Sequence, residues 1–556
     1  MNRIGTCALV MGIAAAGLAL PWGATAQAQT VSAAADQPSR VDELVKYARE
    51  RFEQSKAQPA PAGAQKQTLE EKALARPVTK LTVDQAVAMA LENNLELSIE
   101  RLNPRVQDLS LDQLRGVYRP TLGSTVNATS AMPLPTSLLN GGTRVTNATQ
   151  NYNASLAQAL PWFGTNITAA FNNSRTNTTS TFATLNPQYV AQLTATVTQP
   201  LLRNFKIDTN RQSLLVGAIT REVSDLTLQT RIINTTATTK NAYWDLLYTI
   251  RAIEAAKQSL ALAEKLVEDN RVRVEVGTLA PLDIVSAQAE AATRRQTLTA
   301  AEAARRTAEL TLKRLIVGDT TDPLWTATID PVDAVQVNPT AVDLEGAVTR
   351  ALGERTDLVT ARKNLASSDI TIRYLRNQML PGLDATATYG TRGLGGNTYV
   401  LQNGVRTGDI VAGGYGDAFR MLRKVDYPNW TVGLTFSYPI GKSAQDAAYA
   451  KAKLQYQQAQ AQIRALELTV ATDVTNAALQ VESTLKRLDA SRAARQLSEK
   501  QLEAVQSKFE VGMSTNFFVV QAQRDLLDAQ NTELRALLDY QKALVAFERV
   551  QKTSGS

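Results

Sequence analysis

The sequence predicts a mainly α fold with membrane-type β-strands, built twice on one plan of helix, strands, long helix, turn and helix. Three observations predict it. Residues 274–290 read VEVGTLAPLDIVSAQAE and residues 509–525 read FEVGMSTNFFVVQAQRD, sharing Glu, Val, Gly, Val, Ala and Gln at a constant offset of 235 from Gly277 to Gly512. Each glycine sits between two helical runs, and the longer run of each pair extends over about 70 residues, a rod on the order of 100 Å that no globular domain needs. Between these rods the apolar period changes from helical to two.

The elements follow in order. LTVDQAVAMALENN (81–94) is an amphipathic helix start with Thr82 as its N-cap, running to about Tyr118 before Pro120. Alternating runs come next: TLGSTVNATS from Thr121, YNASLAQAL (152–160), TNITAAFN (165–172) and QLTATVT (192–198), closed by Pro200. The first long helix spans 204–276. Its Leu246, Ile250, Ile253, Ala256, Leu260, Ala263, Val267 and Val274 are spaced by threes and fours, the coiled-coil seam pattern. After Gly277 a helix returns over 283–316 and stops before VGDTTDPLW.

DLEGAVTRALGERTDL (343–358) then restarts the plan at an offset of 261, pairing Ala86 with Ala347, Val87 with Val348, Ala90 with Ala351, Leu91 with Leu352 and Pro120 with Pro381. Strands recur at 382–390 and 429–439, a second long helix at 443–511, and a return helix at 516–550. Such self-similarity signals an internal duplication. The division expected is a signal peptide (1–28), an N-terminal periplasmic extension with a Pro/Ala linker (29–80) and a first repeat (81–325). A linker (326–340), a second repeat (341–552) and a tail (553–556) follow.

The signal peptide rests on Arg3, the short apolar run CALVMGIAAAGLAL and the small-residue stretch ATAQAQ. The single cysteine, Cys7, precedes that run, so the mature chain would hold none. Histidine is absent throughout. Zinc sites, Ser-His-Asp triads and Cys-His dyads therefore cannot be assembled, and no catalytic, metal or cofactor site is expected. Without Arg3 the balance is 58 Lys+Arg against 52 Asp+Glu, too mild to imply nucleic acid. The most basic stretch holds Arg294, Arg295, Arg305, Arg306, Lys313 and Arg314, interleaved with Glu290, Glu302 and Glu309. It reads as a solvated, ion-paired helix face.

NWTVGLTFSYP (429–439) carries the membrane argument. Trp430, Val432, Leu434, Phe436 and Tyr438 point one way, and Thr431, Gly433, Thr435 and Ser437 the other. An apolar face with aromatics at both ends, opposite a small polar face, suits a barrel strand between lipid and water. Each half offers about two spanning strands, with the alternation in 152–172 read as a hairpin extending outside the membrane. About four strands per chain cannot close a barrel, and open edges are not tolerated in lipid, so copies of the chain must share one.

These residues together resemble the TolC-type outer-membrane efflux proteins. The resemblance covers roughly 81–550: the two repeat openings, strand starts at RPTL and LPGL, strand ends at TQPLLRNF and SYPIGK, and the VGT and VGM turns. It implies a homotrimer, with a shared twelve-stranded barrel in the outer membrane of a Gram-negative bacterium and a long α-helical barrel in the periplasm. It implies as partners a periplasmic adaptor and an inner-membrane transporter of the RND, ABC or MFS type, with passive export through the duct. The adaptor-docking tips carry over onto Val276, Gly277, Thr278, Val511, Gly512 and Met513.

The family's charged entrance is matched only in part. Asp283 keeps one acidic position, whereas Ser514 replaces the gate arginine and Phe518 and Gln521 replace two acidic ring positions. The expectation is a gate closed by apolar and amide packing, with Phe518 and its neighbour Phe517 as plug. PIGKS (439–443) lacks the first glycine of a phosphate loop, and GLGGN (393–397) and AGGYGD (412–417) read as external loop. A type I protein-secretion outlet is the alternative within this class. A surface trimeric coiled-coil scaffold without a pore is the alternative outside it.

Overall fold

The computed structural model describes Lys46 and residues 77–134, 144–277, 279–333, 343–402, 405–441 and 443–551. The chain divides into two units, Met1–Leu74 and Ala75–Ser556, and every element below belongs to the second. The expected signal peptide, the helix at 41–54 apart from Lys46, the Pro/Ala linker and the tail lie outside the described residues.

The repeat begins with β1 (Val78–Leu81), then α1 (Val83–Asn93) and α2 (Leu95–Gly116). Thr82 caps α1 in a capping box with Gln85, as the sequence predicts. The single helix expected up to Tyr118 is broken at Asn94, whose extended backbone ends α1 while its side chain accepts from Leu97 N and starts α2. The strands β2 (Thr121–Ala131), β3 (Asn147–Ala159), β4 (Asn166–Thr178) and β5 (Leu185–Pro200) follow, and then α3 (Thr209–Glu275) and α4 (Pro281–Ile316). A short helix α5 (Pro323–Thr326) and β6 (Thr328–Pro331) close the first copy. The stretch expected as a plain linker thus supplies a strand, paired in parallel with β1.

The second copy has α6 (Leu344–Glu354), α7 (Thr356–Gln378), β7 (Gly382–Gln402), β8 (Val405–Val411), α8 (Tyr415–Lys424) and β9 (Pro428–Ser437). It ends with α9 (Ala444–Glu510) and α10 (Asn516–Gln551). The duplication is close in length: α3 and α9 have 67 residues each, and α4 and α10 have 36 each. Its packing repeats too. Ala86 and Ala347, and Ala90 and Ala351, are all fully buried, because a methyl group lets these short helices lie close on the long ones.

In the first copy α1 packs with Ala242, Tyr243 and Leu246 of α3 and Leu312 and Ile316 of α4. In the second, α6 packs with Val470 and Val474 of α9. The predicted seam on α3 holds at Leu246, Ile253, Ala256 and Ala263, which are buried. No described helix is long and apolar enough to cross a membrane.

The sheet is antiparallel in the order β2-β3-β4-β5-β7, with β8 and β9 both paired to β7. β5 beside β7 joins the two copies. The expected spanning strands are present as β2, β5, β7 and β9. The hairpin β3–β4 was expected beyond them; it lies between β2 and β5 and is registered with both along its whole length. GLGGN falls inside β7 rather than in the loop expected, whereas residues 412–414 of AGGYGD are loop and the rest opens α8. A Cβ on Gly393 would stand 1.8 Å from the Ala418 carbonyl oxygen, and that missing side chain is what lets α8 rest on the sheet.

Candidate functional site at the paired helical tips

Both long helices end in the same geometry. Val276 and Val511 leave the helix at φ −89° with ψ 4° and 5°, and the glycines that follow take φ +78° and +79°. A left-handed residue after the last helical turn directs its N–H back onto the helix. Gly277 N donates to the Val274 carbonyl at 3.0 Å and Gly512 N to the Phe509 carbonyl at 3.1 Å. Nothing lies within 4 Å of where a Cβ would stand on either glycine. The backbone conformation alone asks for glycine, and the backbone there is open.

Val276, Val511 and Met513 are exposed beside these glycines, as are Leu282, Phe517 and Phe518. Thr278 lies outside the described residues. The two tips are held to each other from beneath. Phe509 is buried with Leu266 and Val519, and Arg273 donates to the Phe509 carbonyl at 2.9 Å with its guanidinium over the Phe509 ring. The buried amides of Asn270 and Asn516 both point at the Asp283 carbonyl, each at 3.4 Å, and Asn516 also donates to Ser286 Oγ at 3.1 Å. Asp283 is thus part of the stitching through its backbone.

Phe518 and Gln521 lie one turn apart on α10, with Ser514 in the turn before the helix, and Gln521 donates to Asp525 at 2.8 Å. Phe517 and Phe518 meet edge to face with ring centroids 5.7 Å apart. In the chain itself Asn516 and Val519 fill the interhelical positions, at 3% and 1% exposure, which leaves both phenylalanines pointing outward.

One feature escaped the sequence reading. Glu290 is buried, at 4% exposure, against Arg294 on its own helix and Arg524 on α10. Arg294 Nη2 is 2.6 Å from one carboxylate oxygen, and Arg524 Nε is 3.1 Å from the other. Burial opposes the Glu290 charge, yet the Arg524 and Arg294 guanidiniums outweigh it and hold the carboxyl below its ordinary value. Lys313 is also buried, 2.9 Å from Glu309, and donates to the Trp325 carbonyl at 3.1 Å. The basic stretch expected as a solvated face is therefore half interior. A signal existed: Glu290 and Arg294 share a helical stripe with Ala287 and Ala291, both of which are buried.

With the tips, rods and sheet in place, comparison with known proteins is direct. The family described as outer membrane efflux protein matches residues 136–318 and 347–550, one segment in each copy. The chain belongs to the outer membrane efflux protein family. It is 22% identical over 453 residues to the outer membrane efflux protein BepC of Brucella suis biovar 1 (strain 1330), covering 81% of this chain and 80% of that one. It shares its fold with the CmeC outer membrane channel of Campylobacter jejuni, at 15% identity and a TM-score of 0.61 over 85% of this chain and 87% of that one. The open-state MtrE outer membrane channel of Neisseria gonorrhoeae gives 18% identity and a TM-score of 0.57 over 84% and 88%. Family members are channels, and this chain is an outer-membrane efflux channel of the TolC type.

Proposed function

We propose that three copies of this chain close one barrel and one helical duct, and that the six Val-Gly tips of the trimer form the periplasmic mouth. A periplasmic adaptor docks there, on Val276, Gly277, Val511, Gly512 and Met513, and passes cargo from an inner-membrane transporter of the RND, ABC or MFS type. Transport through the duct is passive. Trp430, Val432, Leu434, Phe436 and Tyr438 face lipid. Phe518 and Phe517 close the mouth when no adaptor is bound, with Ser514, Gln521 and Asp283 around them.

The observation that supports this best is the pairing of two open glycines with exposed apolar neighbours in identical backbone geometry. Packing within the chain gives those glycines no neighbour, so a partner's backbone can approach them closely. Phe517 and Phe518 are exposed in the single chain, which leaves them open to packing against other copies. The test is a crosslinker placed at Met513 in cells, followed by identification of the adduct. An adaptor protein is expected. Only self-adducts in correctly inserted channel would refute adaptor docking at the tips.

A further inference from the structure

We propose that α8 is an interfacial helix at the outer rim of the barrel wall, where Arg420, Arg423 and Lys424 bind the phosphates of lipopolysaccharide. This rests on the outer-membrane barrel reading, in which the Trp430 face of β9 meets lipid.

Register places α8 on that same face. Trp430 on β9 pairs with Tyr389 and Pro428 with Thr391, while Thr391 pairs with Leu193 and Gly395 with Tyr189 on β5. Side chains alternate across a strand, so Tyr389, Thr391, Gly393 and Gly395 all stand on the Trp430 side of β7. There α8 covers the two glycines. A Cβ on Gly393 would run into the Ala418 carbonyl and one on Gly395 into the Gly414 carbonyl, and Ala418 itself is fully buried. On the same face Phe171 and Tyr189 pack on Phe419 and Tyr415, with ring centroids 5.8 Å and 4.7 Å apart.

The height of the helix follows from β9. That strand has 10 residues, within the roughly 9–11 that a tilted spanning strand requires. Its first residue, Pro428, pairs with Thr391, and its other end leads to the long helix α9. Over Gly393 and Gly395, α8 therefore lies just past the end of the span that is remote from the long helices. Trp430 and Tyr389, both exposed, stand immediately below it, where aromatic residues collect between acyl chains and headgroups. The polar atoms beneath α8 agree with a hydrated level. Arg175 Nε, Asn173 Oδ1 and Tyr415 Oη are buried and have no hydrogen-bond partner among the described residues. A hydrocarbon layer would not tolerate them, whereas water and headgroups can satisfy them.

Charge on α8 is sorted by face. Tyr415, Ala418, Phe419 and Leu422, spaced by threes and fours, form its sheet side. Arg420, Arg423 and Lys424 are exposed on the other side. Asp417 is occupied at the N-terminus, accepting from Gly414 N at 2.9 Å and pairing with Arg420 at 3.3 Å. Arg423 and Lys424 form no ion pair among the described residues, and Asp426 comes after the left-handed Val425 that ends the helix. A helix fixed flat by its apolar side, with cations outward, presents its charge at headgroup level. Guanidinium and ammonium groups pair with phosphate through charge-assisted hydrogen bonds. In the outer leaflet of a Gram-negative outer membrane, the phosphates at that height belong to lipopolysaccharide.

Titration of the purified full-length channel with lipopolysaccharide, intact or stripped of its lipid A phosphates, tests this. The parent should bind the phosphorylated form about tenfold more tightly or better. Arg420→Gln, Arg423→Gln and Lys424→Gln combined should weaken that binding about tenfold or more and leave binding of the stripped form unchanged. Arg420→Lys with Arg423→Lys keeps the charge and should retain most of the affinity. Equal affinity of the parent and the triple Gln variant for the phosphorylated form overturns the proposal. So does a crosslink from Lys424 to a neighbouring copy of the chain in place of lipid.

The barrel reading is tested separately by labelling Thr431→Cys and Val432→Cys in intact cells with a membrane-impermeant maleimide, since Cys7 is the only native cysteine. Labelling of Thr431→Cys alone, with full lipopolysaccharide affinity in the triple variant, sinks the α8 assignment and spares the barrel. Equal labelling of the two sinks the barrel reading beneath it.

Discussion

Arg524 on α10 reaches across to the carboxylate of Glu290 on α4, and so ties the return helix of one repeat to that of the other three turns or so above the tips. Arg294 holds the remaining oxygen from within the protein, at 8% exposure. Removing Glu290 would strand two guanidiniums, one of them buried, and breaking a buried pair in this way costs roughly 3 kcal/mol. Glu290→Ala should therefore lower the unfolding midpoint of the purified channel by several degrees. Replacing all three residues by Met should recover most of the loss, because desolvation of the charges disappears with them. Thermal unfolding followed by circular dichroism compares the two variants; equal losses would contradict this account.

The same group sets a pH dependence. Its native pKa lies below the unfolded one, so the native state holds its charge to lower pH than the unfolded chain does. The stability this contributes is fully present above the ordinary glutamate value of about 4.3 and is lost as pH falls through the lowered native value. Glu290→Gln should flatten the stability profile below the ordinary glutamate value of about 4.3 relative to the parent. Superimposable profiles would show that the pair contributes nothing to the linkage.

Gly277→Ala and Gly512→Ala should leave the fold standing and impair docking. Each forces an L side chain into the left-handed region, at roughly 1–2 kcal/mol, with no neighbouring atom to clash. Outer-membrane levels should stay within about twofold of the parent, while adaptor crosslinking from Met513 falls severalfold and drug susceptibility rises. A variant that docks as well as the parent would mean that only helix termination needs these glycines.

Phe518→Ala should open the resting mouth. The ring is outward-facing and meets Phe517 edge to face, so truncating it removes apolar area available for closing the proposed mouth. Raised single-channel conductance and greater antibiotic leakage are expected, with Phe517→Ala showing the weaker effect. Unchanged conductance and leakage would remove Phe518 from the gate.

Helix ends, the duplication and the tips were legible because local chemistry decides them. Thr82 and Ser443 cap, Pro120 and Pro381 stop, and Gly277 and Gly512 turn, each within a few residues of its cause. Features set by distant partners were not. Asn94 looks like any helical asparagine until its amide meets the Leu315 carbonyl at 3.3 Å, more than 200 residues on. The Glu290 cluster needed α10 beside α4. The place of the β3–β4 hairpin needed the register of β2 and β5, because alternation in YNASLAQAL and TNITAAFN shows that strands exist and leaves their level open. The tips were found from sequence because the two copies could be compared; nothing in either copy alone marks the glycine as more than a helix end.

The lipid face proposed for β9 gives the last expectation. Val432 and Thr431 are neighbours on β9, opposed across the strand, and both are exposed in the single chain. An arginine at the bilayer midplane on a lipid-facing position costs about 2–4 kcal/mol, whereas a lumen-facing arginine stays in water. Val432→Arg should therefore reduce outer-membrane assembly and the yield of oligomer on native gels. Thr431→Arg should assemble normally and shift ion selectivity toward anions, since it adds one positive charge per copy to the lumen. Assembly defects of equal size in the two variants would mean that β9 does not separate lipid from water.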